Sequence, residues 1–150
     1  MYRLNDLTLA IGNDSKPMAL TIGVVAAILS KRVETARLPI SWLYRHILPA
    51  VTHRQVKFFY NSRGEPSSFV TWAFLSPETE ARIAACQTID LHFSEWCEGQ
   101  SLWIVDCVSN AVSLRHLMRD LSENELKSYD SANYCRISSG MFFIKNLKFR

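Results

Sequence analysis

The sequence predicts an α/β fold: one mixed, mostly antiparallel sheet with helices packed on it. Three observations predict it. Residues 55–75 alternate like two strands around a turn. A helix start follows them at once, at Ser76 and Pro77. Two further strand-like runs, 101–108 and 133–149, flank a second helical stretch, and this order of strands and helices suits a layered α/β sandwich. The 150 residues fit a single domain, 1–150, and the hydrophobic fraction of 48% is that of a globular chain.

The chain begins with a mixed stretch, 1–16, whose Gly12, Asn13, Asp14 and Ser15 are turn formers; it reads as a flexible arm or a short lead-in strand. Residues 17–30 are the most apolar run. They are shorter than the ~20 residues that span a bilayer, and no compact basic region or clean cleavage site accompanies them, which argues against a signal peptide. They read as a buried helix over 18–31, with Lys31 and Arg32 at the end where cations suit the helix dipole. The expectation is a cytoplasmic protein without a transmembrane segment.

A linker, 33–38, leads to Pro39. A second helix, 40–47, carries Trp42, Leu43, His46 and Ile47 as an apolar stripe, and Pro49 should end it. The hairpin comes next, turning at Asn61, Ser62, Arg63 and Gly64. Ser76 then caps a third helix, 77–86, with Pro77 at its first position and Glu78 and Glu80 in its first turn. Residues 88–93 read as a small strand or loop and 94–100 as a turn. The core strand, 101–108, sets Leu102, Ile104 and Val105 beside a lone carboxylate, Asp106. A fourth helix, 111–121, has Asn110 as its cap. Residues 133–138 and 141–149 form a terminal hairpin around Ser139 and Gly140.

A net charge of +3 is too small to suggest nucleic acid. Residues 134–150 are locally basic, with Arg136, Lys145, Lys148 and Arg150 and no acidic side chain, and read as a solvated edge whose cations discourage aggregation. The four cysteines, Cys86, Cys97, Cys107 and Cys135, contain no C-x-x-C pair. No metal is expected; they read as reduced thiols.

The words WAFLSPETEAR (72–82), after the turn GEP (64–66) and before LWIVD (102–106), carry a resemblance. In this order and spacing they resemble the toxin-activating lysine acyltransferases, the hemolysin-activating proteins that act on protoxins of the repeats-in-toxin type. The resemblance runs from about 39 to 106. It implies an acetyltransferase-like fold, an acyl group supplied by acyl carrier protein, a protoxin as acceptor, and a homodimer. The R-x-x-G-x-G pyrophosphate loop of coenzyme-A users is absent, which fits a family with no bound cofactor.

Acyl transfer to an amine needs a base for the ammonium proton and a carboxylate to orient that base. The resemblance assigns these parts to a histidine before the second helix and to the aspartate of the core strand, here Asp106. Counting back from Pro39, the histidine position falls on Thr35, and no S-P-x-H-R pattern exists between 30 and 37. A threonine hydroxyl is no base at neutral pH. Glu34 becomes the candidate, on condition that burial raises its pKa. Of the histidines present, His46 reads as a core-edge residue, His53 as solvated, and His92 and His116 as lacking any motif. After Asp106 the family's alanine-proline-phenylalanine-glycine turn is replaced by Cys107, Val108, Ser109 and Asn110. Arg115 and Arg119, one turn apart, are candidates to meet the acidic helix and phosphopantetheine of the carrier. The leading expectation is a protein-lysine acyltransferase that activates a protoxin. The alternative is a catalytically impaired relative that binds toxin or carrier.

Overall fold

The structure, a computed structural model, describes residues 16–149. The expected arm lies outside the described residues apart from position 16. Five strands form one sheet in chain order: β1 (Val56–Tyr60), β2 (Pro66–Leu75), β3 (Ser101–Ser109), β4 (Ser131–Ser138) and β5 (Met141–Lys148). Only β3 and β4 run parallel; the other neighbours are antiparallel, as the sequence predicts.

The β1–β2 hairpin forms because Asn61 Oδ1 accepts from the Arg63 and Glu65 amides at 2.9 and 3.0 Å, and Gly64 takes φ 77°. Along β2 the side chains alternate. Val70, Trp72 and Phe74 join one core, while Phe69, Ala73 and Leu75 face the other side. The first face is covered by α6 (Leu114–Glu123), whose Leu117 and Leu121 are fully buried one turn apart. Each such side chain stabilises the fold by roughly 1.5–3 kcal/mol. The second face is covered by α1 (Lys16–Leu29), α4 (Leu48–Thr52) and α5 (Pro77–Cys86). Val25, Ile28 and Leu29 of α1 pack with Ile47 and Phe69.

Helix α5 starts as expected: the Ser76 hydroxyl accepts from the Thr79 amide at 3.3 Å. Its Glu80 does more than suit the dipole, since Oε1 accepts from Trp103 Nε1 at 2.6 Å and ties the helix to β3. Gly99 has a steric cause: a Cβ there would lie 1.8 Å from the Leu75 carbonyl oxygen, so only glycine lets this turn close against β2.

Several boundaries differ from the expectation. The first helix ends at Leu29, and the linker contains a short turn, α2 (Val33–Ala36). Residues 88–92 are a loop, one of the two expected readings, and Phe93–Trp96 is a 3-10 turn. Helix α6 begins at Leu114, capped by Ser113 rather than Asn110. The Asn110 amide instead donates to the Ile28 carbonyl at 2.9 Å, pinning α1 to the end of β3.

Pro49 does not end the second helix. The chain runs from α3 (Ile40–Trp42) through a π turn, Leu43–Ile47, into α4. Proline lacks an N–H and crowds the carbonyl four residues back. A wider turn relieves both: the Leu48 amide reaches back to the Leu43 carbonyl, five residues away.

Candidate active site

Two local irregularities bring His46 and Asp106 together. The first is the π turn, which carries His46. The second is a β-bulge in β3: Thr71 pairs with Asp106 and Trp72 with Ile104, leaving Val105 without a partner. Strict alternation would put Asp106 on the α6 face with Leu102 and Ile104. The extra residue resets the phase, so Val105 and Asp106 both lie on the face covered by α1, α4 and α5, with Asp106 at the π turn, while Cys107 returns to the α6 side.

His46 Nδ1 lies 3.1 Å from Asp106 Oδ2. The two side chains are 18% and 17% exposed, sheltered yet open to a reactant. Trp42, one turn before His46, stacks on its ring at 4.8 Å between centroids and 14° between planes. Thr71, fully buried, fixes the carboxylate: the Asp106 amide donates to Thr71 Oγ1 at 3.0 Å, and that hydroxyl donates to Asp106 Oδ2 at 3.4 Å. With the carboxylate ionised, Nδ1–H donates to Oδ2 and Nε2 keeps its lone pair. This is the tautomer of a general base.

Asp106, the carboxylate that the resemblance names, faces His46. His46 is partly buried at the edge of the core, as read, and the same stripe also aims its imidazole at Asp106. A histidine four residues after a tryptophan and three before a proline is the signal that could have marked it. Glu34 is on the surface, 79% exposed and 3.9 Å from Arg32, so the burial that a carboxylate base would need is absent. Thr35 has a local role, its hydroxyl donating to the Leu29 carbonyl at 2.6 Å as the chain leaves α1. His53 is partly buried against Phe93 rather than solvated, with Cys97 Sγ at 4.0 Å from its Nε2. His92 and His116 are exposed.

Arg115 and Arg119 are exposed on α6, on the opposite side of the sheet from the pair. They line a groove of about 850 Å³ between α6 and the β4–β5 hairpin. Cys107 also lines it, and burial with the neighbouring Asp106 charge pushes this thiol up to about 11. The parallel β3–β4 ladder consists of Trp103 with Asn133 and Ile104 with Tyr134. Beyond Ile104, β3 carries the bulge and Asp106 without pairing to β4.

Among the described residues no helix is long and apolar enough to cross a membrane. The chain is 25% identical over 96 residues to the lysine-acyltransferase RtxC of Vibrio cholerae, covering 64% of this chain and 61% of that protein. It is 30% identical over 70 residues to the RTX-II toxin-activating lysine-acyltransferase ApxIIC of Actinobacillus pleuropneumoniae, covering 47% and 42% respectively. These matches thus span less than two thirds of either relative. The model of the RTX toxin acyltransferase family matches residues 15–139, most of the chain and all of the His46–Asp106 geometry, so this protein belongs to the RTX toxin acyltransferase family.

Proposed function

We infer that the chain transfers a fatty acyl group from acyl carrier protein to the ε-amino group of a lysine in a protoxin, with His46 as general base. The observation that carries the reading is the 3.1 Å contact between His46 Nδ1 and Asp106 Oδ2, held by Thr71 and Trp42, in a member of this family. The names of the two relatives, lysine acyltransferases of which one is toxin-activating, support the acceptor class.

The chemistry follows from the geometry. Nε2 takes a proton from the lysine ammonium, and Asp106 stabilises the imidazolium that forms. The freed amine nitrogen bonds to the thioester carbonyl carbon. As the carbon–sulfur bond breaks, the nitrogen sheds its second proton to solvent and the departing thiolate takes the first proton back from His46. The products are an amide on the lysine and a free carrier thiol. Shelter from solvent strengthens the His46–Asp106 interaction relative to water.

The expectation of an impaired relative rested on the missing histidine at Thr35 and on the altered turn after Asp106; His46, in the π turn beyond Pro39, supplies an imidazole beside Asp106. Arg115 and Arg119 belong to the donor side of this proposal. So do a homodimer, the absence of a bound cofactor and action in the cytoplasm before toxin export; family membership is their support. The test combines purified chain, acylated carrier protein and protoxin, with mass spectrometry of the protoxin peptides. One fatty acyl mass on a lysine is expected; unmodified lysines at every time point contradict the reading.

A further inference from the structure

The positive charge of the chain gathers in the segment that carries His46. Residues 31–54 hold five cations, Lys31, Arg32, Arg37, Arg45 and Arg54, against one acid, Glu34. Of the 17 cations and 14 acids in the sequence, twelve and thirteen lie elsewhere, so the net charge of +3 arises in this one segment. All five cationic residues are exposed. Arg45 Nη2 lies 2.7 Å from Asp90 Oδ2, and Arg32 Nε lies 3.9 Å from Glu34 Oε2. Lys31, Arg37 and Arg54 form no ion pair among the described residues. Lys31 Nζ donates to the Pro66 carbonyl at 3.0 Å and Arg32 Nη1 to the Ser109 carbonyl at 3.4 Å. These bonds hold both side chains at the end of the sheet where β2 starts and β3 stops, and Ser109 is three residues beyond Asp106. Val33, Leu38, Ile40 and Tyr44, exposed in the same segment, set apolar side chains among the cations.

The base must meet the ammonium of the acceptor lysine, so the surface beside His46 is the one that the acceptor's neighbouring residues meet. An ammonium alone is repelled by a net positive surface, and the repulsion is felt over about 10 Å at 0.1 M salt. Acids on either side of the lysine reverse its sign, and charges complementary to a surface both speed the encounter and exclude wrong partners. Exposed apolar side chains among the cations add area that a partner covers. We propose that the surface of residues 31–54 selects acceptor lysines that lie in an acidic, partly apolar segment of the protoxin. The proposal rests on the reading of His46 as the base that meets the acceptor. Arg115 and Arg119, assigned to the donor, lie across the sheet, so an acidic acceptor and the carrier approach different faces.

The test reads binding first, without chemistry. Short fluorescent peptides carry a central acetyl-lysine flanked by glutamates, by serines or by lysines, and fluorescence anisotropy follows their binding to the full chain. The glutamate peptide should bind about tenfold tighter than the lysine peptide at low salt, and the difference should close at high salt. The double change Arg32→Glu with Arg37→Glu, on exposed side chains, should cut this preference at least fivefold while Tm stays near the parent value. Acyl transfer then assigns the partner. With free lysine in the peptides, the same double change should raise KM for the glutamate peptide and leave KM for acylated carrier protein within about twofold. Binding indifferent to peptide charge, or a raised carrier KM with an unmoved acceptor KM, overturns the proposal. Charge-ordered binding upholds the surface even where no peptide is acylated, an outcome that counts against the transfer reading alone.

Discussion

Thr71 and Asp106 hold each other twice: the Asp106 amide donates to Thr71 Oγ1 at 3.0 Å, and the same hydroxyl donates to Asp106 Oδ2 at 3.4 Å. The first bond satisfies an amide that the bulge removes from the regular ladder; the second sets the carboxylate rotamer under His46.

Thr71→Val keeps the shape of this buried side chain and deletes both bonds. It should cost about 1–3 kcal/mol of stability by leaving the Asp106 amide without an acceptor. Acyl transfer should fall by about 10²-fold through misplacement of the pair, and the pH–rate profile should shift with it. Thr71→Ser should restore most of the rate and the profile. A purely structural role predicts lost stability with an unmoved profile.

Pro49→Ala removes the cause of the π turn. A regular α-helix would turn the segment carrying His46 by about 100° relative to α4. The fold should survive, since alanine favours the helix. Transfer should drop sharply while the circular dichroism spectrum and Tm stay near the parent values. An unchanged rate would show that the wide turn does not aim His46.

Much of this architecture could be read from the residues. Ser76 and Pro77 announced α5, Gly64 the hairpin turn, and the spacing of Leu117 and Leu121 the buried face of α6. Asp106 was identifiable through the family resemblance of the LWIVD strand; an acid among apolar strand residues by itself says only that it needs a partner. His46 was not, and the cause is physical. Period-2 alternation puts Asp106 on the wrong face of the sheet, and a proline after a short helix signals a stop. The bulge at Val105 and the π turn before Pro49 break both rules at once, and only together do they make the pair. Glu34 was selected by position alone, and its exposure shows why position without burial misleads.

Glu95 provides a test of stability against pH. Burial opposes its ionisation, but the His92 amide at 2.7 Å and the Arg82 guanidinium outweigh this, and its carboxyl lies below the ordinary value of 4.5. A lowered folded pKa stabilises the fold above the unfolded value and is lost as pH falls through the folded one. Tm should therefore decline as pH drops below about 4.5. Glu95→Gln should cost about 1.5–3 kcal/mol at neutral pH, as expected for losing charge-assisted hydrogen bonds, and should flatten this part of the acid limb. Parallel melting curves for both proteins would refute the assignment.

The thiols should divide into two classes. Burial pushes Cys135, and burial with the Asp106 charge pushes Cys107, up to about 11. Cys86 and Cys97 are exposed. Iodoacetamide at pH 8 should label Cys86 and Cys97 quickly and the other two at least tenfold more slowly, read by peptide mass spectrometry. Equal labelling of all four in the native protein would contradict the packing of β3 and β4.

The most direct measurement compares acyl transfer to protoxin lysines by His46→Ala and Glu34→Gln under identical conditions. With His46 as the base, the alanine variant should lose about 10²–10⁴-fold in rate, while Glu34→Gln stays within about twofold of the parent, as expected for an exposed, weakly paired carboxylate. A His46→Ala protein that transfers at the parent rate, or a Glu34→Gln protein that does not transfer, would contradict the account.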